Sequence, residues 1–176
     1  MNKELNEMVE TSLDKLLKEK ISKTEISRQL HAVPPGPMER AWVPGEKKAT
    51  GTKKEVTLEV PVKDDIKDSW VFHTHPGGEP PIPSFQDLIS AIKSNIVLGA
   101  KGSAIISGHY YTAIEPTDKI ISKVGKIERD DKGMDDKIAS KISGAKSALE
   151  KPSKREIIDA LRDFGFDIDT NHEKEE

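Results

Sequence analysis

The stretch VFHTHPGGEPPIPSFQDL, which runs from Val71 to Leu88, constrains the fold of this chain more than any other segment. Its first residues are rich in the β-branched and aromatic types that favour a strand. Pro76 ends the strand because proline has no N–H for the ladder, and the glycines and prolines after it allow a tight, stiff loop. From Ser84 onward apolar residues recur at helical spacing, so the sequence predicts a strand, a rigid loop and a helix in direct succession.

The two histidines of this stretch are placed for metal binding. On a strand, residues i and i+2 point to the same side, so His73 and His75 present their imidazoles together while Thr74 points to the other side. Asp87 falls in the first turn of the predicted helix, where its carboxylate can supply a third ligand. Two histidines and an aspartate with an open fourth position are the donor set expected of catalytic zinc, so we predict Zn2+ as the cofactor.

The composition narrows the kind of site and the partners. The chain has no cysteine, which fits a reducing compartment and excludes zinc sites built on cysteine. Its formal net charge is -3, from 28 basic and 31 acidic residues, so we expect no nucleic-acid partner. The charged N-terminus lacks the apolar core of a signal peptide, and no run reaches the roughly 18 apolar residues of a membrane helix. We therefore expect a cytoplasmic protein with no membrane partner.

Changes in hydrophobic period divide the chain into four parts. Helical spacing predicts an N-terminal helical arm over residues 1–32, and the break VPPGP leads into a central domain of mostly period two over residues 38–125. Residues 126–168 are predicted to form C-terminal helices, and residues 169–176 a disordered tail. This outline of helices, a small mixed sheet crossed by one helix, and helices again predicts an α/β fold.

Local signals set several boundaries within these parts. Gly108 lies between two predicted strands and indicates a hairpin. In the C-terminal region we predict one helix from Met134 to Leu149. A second helix is opened by the capping box that joins Ser153 to Glu156, and it ends at Gly165.

The metal-binding stretch also matches a known pattern. His73-x-His75-Pro76 is followed, after seven intervening residues, by Ser84-x-x-Asp87. This arrangement resembles the signature of the JAMM (MPN-plus) metalloproteases, which include deubiquitinases and prokaryotic relatives. Four residue types at fixed spacing are more specific than two histidines alone. By this resemblance His73, His75 and Asp87 bind zinc, and Ser84 hydrogen-bonds the oxyanion of the tetrahedral intermediate.

The resemblance covers the chain from about Met38 to about Glu115. It implies a JAMM/MPN-like fold, which is a small mixed β-sheet flanked by helices with layering like that of cytidine deaminases. The implied activity is zinc-dependent hydrolysis of a peptide or isopeptide bond in a protein substrate, such as a ubiquitin-like or sulfur-carrier protein. The sequence leaves the identity of the substrate and the oligomeric state open.

The family also uses a glutamate from an upstream strand as general base, and Glu39 is our candidate. In MERAWV, Glu39 alternates with Ala41 and Val43, so its carboxylate shares a side with small apolar residues, where burial would raise its pKa toward that of a useful base. The glycines usual after this glutamate are sparse here, with only Gly45 close by, and a surface carboxylate is the alternative for Glu39. The other candidates lie in a turn, on an outward strand face and on a loop: Glu46, Glu55, Glu59 and Glu79.

Each part of the motif also has a purely structural interpretation. Ser84 and Asp87 make a good N-cap with an acidic first turn, and a pair of histidines on a strand is often structural. Two other functions stay open, namely a non-catalytic scaffold on the same fold and a RadC-like protein of DNA or phage metabolism. We assign His109 to surface or packing, with substrate contact as the alternative, and we assign no role to His31 and His172.

Overall fold

The computed structural model describes residue 26, residues 40–42 and 49–50, and residues 69–173. Most of the predicted N-terminal arm and the last three residues of the chain lie outside the described residues. The described elements are β1 (Arg40–Trp42), β2 (Ala49–Thr50), β3 (Trp70–Thr74), α1 (Phe85–Leu98), β4 (Gly102–Ser107), β5 (Tyr110–Pro116), α2 (Asp118–Val124), α3 (Met134–Lys141), α4 (Ala145–Leu149), α5 (Lys154–Phe164) and β6 (Phe166–Thr170).

These strands form a six-stranded sheet in the order β2-β1-β3-β4-β5-β6. β3 and β4 run parallel with α1 as the crossover between them, whereas all other neighbouring strands are antiparallel. Gly108 joins β4 to β5 in a positive-φ turn, so the predicted hairpin is confirmed. The predicted α/β fold with a mixed sheet flanked by helices is confirmed as well. β3, which contains His73 and ends directly before His75, lies inside the sheet between β1 and β4.

One row of directly opposed residues runs from β1 through β3, β4 and β5 to β6. Ala41 pairs with His73, His73 with Ile105, Ile105 with Thr112, and Thr112 with Thr170. Residues that are directly opposed across a ladder project to the same face of the sheet. His73 and Thr112 therefore share a face and are separated by one residue, Ile105.

That face is covered by the five helices from α1 to α5. The main core cluster joins Ile105, Ile114 and Ile168 of the sheet to buried residues of every one of these helices. Burial of each such isoleucine contributes roughly 1.5–3 kcal/mol. The opposite face carries a smaller cluster in which Phe72 packs with Ile26, the residue of the predicted N-terminal arm that the structure describes. Residues between β3 and β6 thus contribute to buried clusters on both faces of the sheet.

The C-terminal end of the chain differs from the prediction. We expected helices up to 168 and a disordered tail from 169, but residues Phe166–Thr170 form the edge strand β6, which pairs with β5. Phe166 and Ile168 are buried while Asp167 is exposed. This alternation has the period of a strand, and β6 begins directly after the helix-ending Gly165. The prediction was wrong because a five-residue strand with two aspartates gives a weak signal when its partner strand is distant in sequence.

The C-terminal helices agree in part with the prediction from the sequence. The predicted helix from Met134 to Leu149 is divided into α3 and α4, with the break at Ile142–Gly144 where a glycine interrupts the helical run. Helix α5 has the predicted bounds, because the Ser153 side chain accepts a hydrogen bond from the Glu156 N–H and Gly165 forms the C-cap. Among the helices of the described residues, none has the length and apolar character needed to cross a membrane.

Candidate metal centre

The two histidines are presented by an internal strand on the helix-covered face of the sheet. His73 lies within β3, and His75 follows the last residue of this strand. The His75 N–H donates to the Ile106 carbonyl at 2.9 Å, which holds the chain against β4 beyond the end of β3. The imidazole rings have centroids 5.2 Å apart and are inclined by 54°. The predicted pairing of the two side chains on one side of the strand is therefore present.

Asp87 is placed by the first turn of α1. The Ser84 side chain accepts a hydrogen bond from the Asp87 N–H at 3.1 Å, and Asp87 Oδ2 accepts one from the Ser84 N–H at 2.8 Å. This reciprocal pair is a capping box, and it fixes the carboxylate at the helix N-terminus. The predicted cap and the predicted ligand position are thus two properties of the same two residues.

The three side chains converge on one point. His73 Nε2 lies 2.9 Å from Asp87 Oδ1, and His75 Nε2 lies 3.7 Å from Asp87 Oδ2. One potential ligand atom from each residue lies within 4.8 Å of those of the other two. Ligand atoms at ~2.0–2.1 Å from a tetrahedral zinc ion are about 3.3 Å apart, a separation that the two contacts bracket. Two imidazoles and a carboxylate so arranged can hold a metal ion, and they fit zinc.

Electrostatics favour the ionised form of Asp87. Burial by itself raises the pKa of this carboxyl because it disfavours the charge. Hydrogen bonds and positive charge from His73 and His75 act in the opposite direction and prevail, so the pKa of Asp87 lies well below its usual range. A metal ligand must be deprotonated, and Asp87 meets this condition at neutral pH.

Ser103, which the sequence did not identify, contacts the second ring nitrogen of His73, Nδ1. This serine lies in β4, is 1% exposed, and places its Oγ 3.3 Å from His73 Nδ1. When His73 Nε2–H donates to Asp87, Ser103 donates to Nδ1. If His73 held a metal through Nε2, Nδ1–H would donate to Ser103, because a hydroxyl both donates and accepts. Such a partner fixes the orientation of a ligating histidine. No local pattern in GSAIIS indicates this role, because the contact depends on strand pairing.

Ser84 and Glu39 are the two residues predicted to take part in catalysis. Ser84 is exposed at the N-cap, where its Oγ accepts the cap hydrogen bond and keeps its proton for donation to another acceptor. Glu39 lies outside the described residues. It precedes β1, whose Ala41 pairs with His73. The alternative glutamates also lie outside the described residues, apart from Glu79, which is exposed on the loop after His75: Glu46, Glu55 and Glu59.

The other two histidines in the described part of the chain lie outside this cluster. His109 is exposed in the turn between β4 and β5, and its carbonyl accepts a hydrogen bond from Asn171 at 2.8 Å. His172, predicted to lie in a disordered tail, is 1% exposed and hydrogen-bonds Thr112 at 2.8 Å. His31 lies outside the described residues.

No protein-family model, curated protein or solved structure matches the chain. The JAMM resemblance therefore rests on the residues of the motif alone.

Proposed function

We propose that this chain is a zinc-dependent hydrolase with a JAMM/MPN-like fold that cleaves a peptide or isopeptide bond. The observation that carries the proposal is the convergence of His73 Nε2 and His75 Nε2 on the buried carboxylate of Asp87. An ion pair with a carboxylate needs only one histidine. A second imidazole, directed to the other oxygen of the same carboxylate, is expected if the three groups share a cation.

The ligand set favours a catalytic ion over a structural one. Structural zinc sites have four protein ligands, whereas catalytic sites have three and leave a position for water or substrate. His73, His75 and Asp87 are the three ligands in this proposal, and among the described residues no fourth histidine or carboxylate belongs to their cluster. When bound, zinc supplies Lewis acidity, which polarises a carbonyl and favours ionisation of water.

The remaining chemistry falls to two side chains. In the proposal Glu39 accepts a proton from the attacking water and returns it to the leaving amine. Ser84 donates its hydroxyl proton to the developing oxyanion, which its exposed position at the start of α1 allows. The helix N-terminus adds a favourable partial positive charge at the same place.

The substrate class comes from the JAMM resemblance. We propose a protein substrate, with the bond after the C-terminus of a ubiquitin-like or sulfur-carrier protein as the first to test. A cytoplasmic location, which the cysteine-free composition favours, belongs to the same proposal.

Glu39→Gln tests the enzymatic part of the proposal. The amide keeps the shape of the side chain but cannot accept the proton, so zinc content and folding should be retained while hydrolysis falls roughly 10²–10⁴-fold. The assay is release of a fluorescent amine from the C-termini of a panel of ubiquitin-like proteins. Glu79→Gln is the control, since Glu79 is exposed on the loop, and it should keep most of the activity. Full activity of Glu39→Gln would remove Glu39 from this role.

A non-catalytic scaffold is the second candidate, and one observation favours it. The Asp87 carboxylate already accepts hydrogen bonds from His73 and from the Ser84 N–H, so the site satisfies its buried charge with protein groups alone. In that case the purified protein should lack stoichiometric metal, and His75→Ala should leave its metal content unchanged. Metal analysis therefore separates the two functions before any substrate is known.

A further inference from the structure

The loop Pro76–Pro83, called here the bridging loop, joins the histidines to the aspartate. It begins directly after His75 and ends directly before Ser84, the N-cap of α1. The separation of His73 and His75 from Asp87 on α1 therefore depends on the path of this loop. It contains no helix or strand, so the backbone ladder of the sheet does not fix its path.

Two contacts fix the first half of the bridging loop to β4 and its turn. The His75 N–H donates to the Ile106 carbonyl at 2.9 Å, just before the loop begins. Gly78 then lies against Gly108, where an added Cβ would be 3.0 Å from the Gly78 Cα atom. Gly108 also has a φ of +58°, so both its conformation and this close approach require glycine.

The second half of the loop is fixed by Thr112. The Thr112 hydroxyl donates to the Pro81 carbonyl at 2.7 Å, and this contact is buried. Thr112 lies on the same sheet row and face as His73, with Ile105 between them. Since neighbouring strands are about 4.8 Å apart, the anchor lies about 10 Å from His73. Thr112 thus holds the loop on the face of the sheet that carries the metal centre.

A buried histidine completes this anchor. His172 Nε2 lies 2.8 Å from Thr112 Oγ1, and the two residues are 1% and 0% exposed. A hydroxyl has one proton, which Thr112 gives to Pro81, so His172 Nε2 must carry the proton of the second bond and donate it. The result is a directed chain from the His172 N–H through the Thr112 hydroxyl to the Pro81 carbonyl.

Neighbouring residues of the fold hold His172 in place. Residue 172 follows β6, whose Thr170 pairs with Thr112. The Lys154 ammonium at the start of α5 donates to the His172 carbonyl at 2.9 Å, and the Tyr110 ring meets the imidazole edge-on with centroids 5.9 Å apart. The histidine therefore has a fixed backbone and a fixed ring plane.

We propose that Thr112 and His172 are positioning residues of the metal centre, which hold the bridging loop at Pro81 so that Asp87 meets His73 and His75. The inference rests on the proposed metal-dependent function. Both residues act through the loop. An edge strand that the local sequence signals poorly thereby contributes to the assembly of the site.

Thr112→Val tests this chain of hydrogen bonds, because valine keeps the shape of threonine and removes the hydroxyl. We expect its affinity for Co2+, used as a spectroscopic probe of the site, to fall about tenfold, with a changed visible absorption. Thr112→Ser restores the hydroxyl and should behave as the wild type. Thr117→Val is the matched control. The Thr117 hydroxyl also donates to a backbone carbonyl, that of Gly165, but this contact lies at the start of α2.

The outcomes separate the proposal from the proposed function. Equal affinity and spectrum in Thr112→Val and wild type, or a loss of affinity that Thr112→Ser shares, would overturn the positioning role and leave the metal site standing. If the wild type itself binds no Co2+, the proposed function fails. The positioning role is then judged by amide hydrogen exchange at Gly77, Gly78 and Glu79. Faster exchange in Thr112→Val than in Thr112→Ser supports it, and equal exchange overturns it.

A second pair of variants covers the case in which Thr112→Val does not fold. His172→Gln keeps an N–H donor near Thr112, whereas His172→Leu fills a similar volume without one. The same Co2+ titration should show weaker binding for His172→Leu than for His172→Gln. Equal binding by these two variants would overturn the role of His172.

Discussion

Replacing Asp87 by asparagine would separate two effects of this carboxylate, namely its stabilisation of the metal-free fold and its contribution to metal binding. The side chain keeps its shape but loses the charge that attracts His73, His75 and the Ser84 N–H. A hydrogen bond to a charged group contributes about 1.5–3 kcal/mol, and asparagine can still accept one of the two short bonds that Asp87 makes. We therefore expect the metal-free variant to lose about 2 kcal/mol of unfolding free energy. For a chain of this size, the melting temperature should fall by about 4–8 °C.

Zinc should widen this difference in unfolding free energy between the wild type and Asp87→Asn. A ligand that binds only the folded state stabilises it by about 2.7 kcal/mol at one hundred times its dissociation constant. The wild type should gain such an amount on addition of zinc, and Asp87→Asn should gain little because one of its three ligands is neutral and weakly coordinating. Thermal unfolding of both proteins, with zinc and with a chelator, gives the four values that are needed.

Asp135→Asn is the matched control for the loss of a first-turn carboxylate. Asp135 lies at the start of α3 and is half exposed, with Lys93 at 3.0 Å. An exposed ion pair of this kind contributes less than about 1 kcal/mol, so the control should lose little stability and keep the full gain from zinc. If Asp87→Asn gains as much from zinc as the wild type, Asp87 is not a ligand and the assignment of the site is refuted.

Three further predictions concern the surroundings of the site. Ser103→Ala should weaken zinc binding by about 10–100-fold because His73 loses the partner of its Nδ1 atom, and competition with a chelating dye measures this loss. Ser94→Ala, at another buried serine, serves as control, and equal losses of affinity in both variants would refute the role of Ser103. Since the pKa of Asp87 is lowered, its charge stabilises the fold above pH ~4 and this contribution is lost as the pH falls further. The stability difference between metal-free wild type and Asp87→Asn in urea should therefore narrow as the pH falls below ~4, whereas a widening in this range would contradict the assignment. Gly108→Ala should cost about 1–2 kcal/mol in thermal unfolding because alanine is strained at a φ of +58°, and an unchanged melting temperature would contradict the close packing of this turn.

The parts of the site that the sequence predicted are those with local signals. The period of two places His73 and His75 on one side of a strand, and the Ser84 cap fixes Asp87 in the first turn of a helix. Each of these properties depends on residues within a few positions of one another. The convergence of the three side chains follows because the same short loop joins the strand to the helix. Metal binding by this cluster stays a prediction.

The parts that the sequence did not predict depend on pairing between distant segments. Ser103 reaches His73 because β4 lies beside β3, and nothing in its own neighbourhood indicates this contact. The tie between Thr112 and His172 requires β6 to pair with β5, and β6 was predicted to be helix and tail. Short segments with several charges have little local preference, so tertiary contacts decide their structure. The general base Glu39 stays a prediction because it lies outside the described residues.

The central claim is that His73, His75 and Asp87 bind one metal ion in each chain. The most direct test is the zinc content of the purified protein by elemental analysis, with His75→Ala and His109→Ala prepared in parallel. His109→Ala is the matched control because this histidine is exposed in the turn between β4 and β5. We predict one zinc ion per chain in the wild type and in His109→Ala, and a large loss in His75→Ala. A full zinc complement in His75→Ala, or no zinc in the wild type after incubation with the ion, would contradict the account.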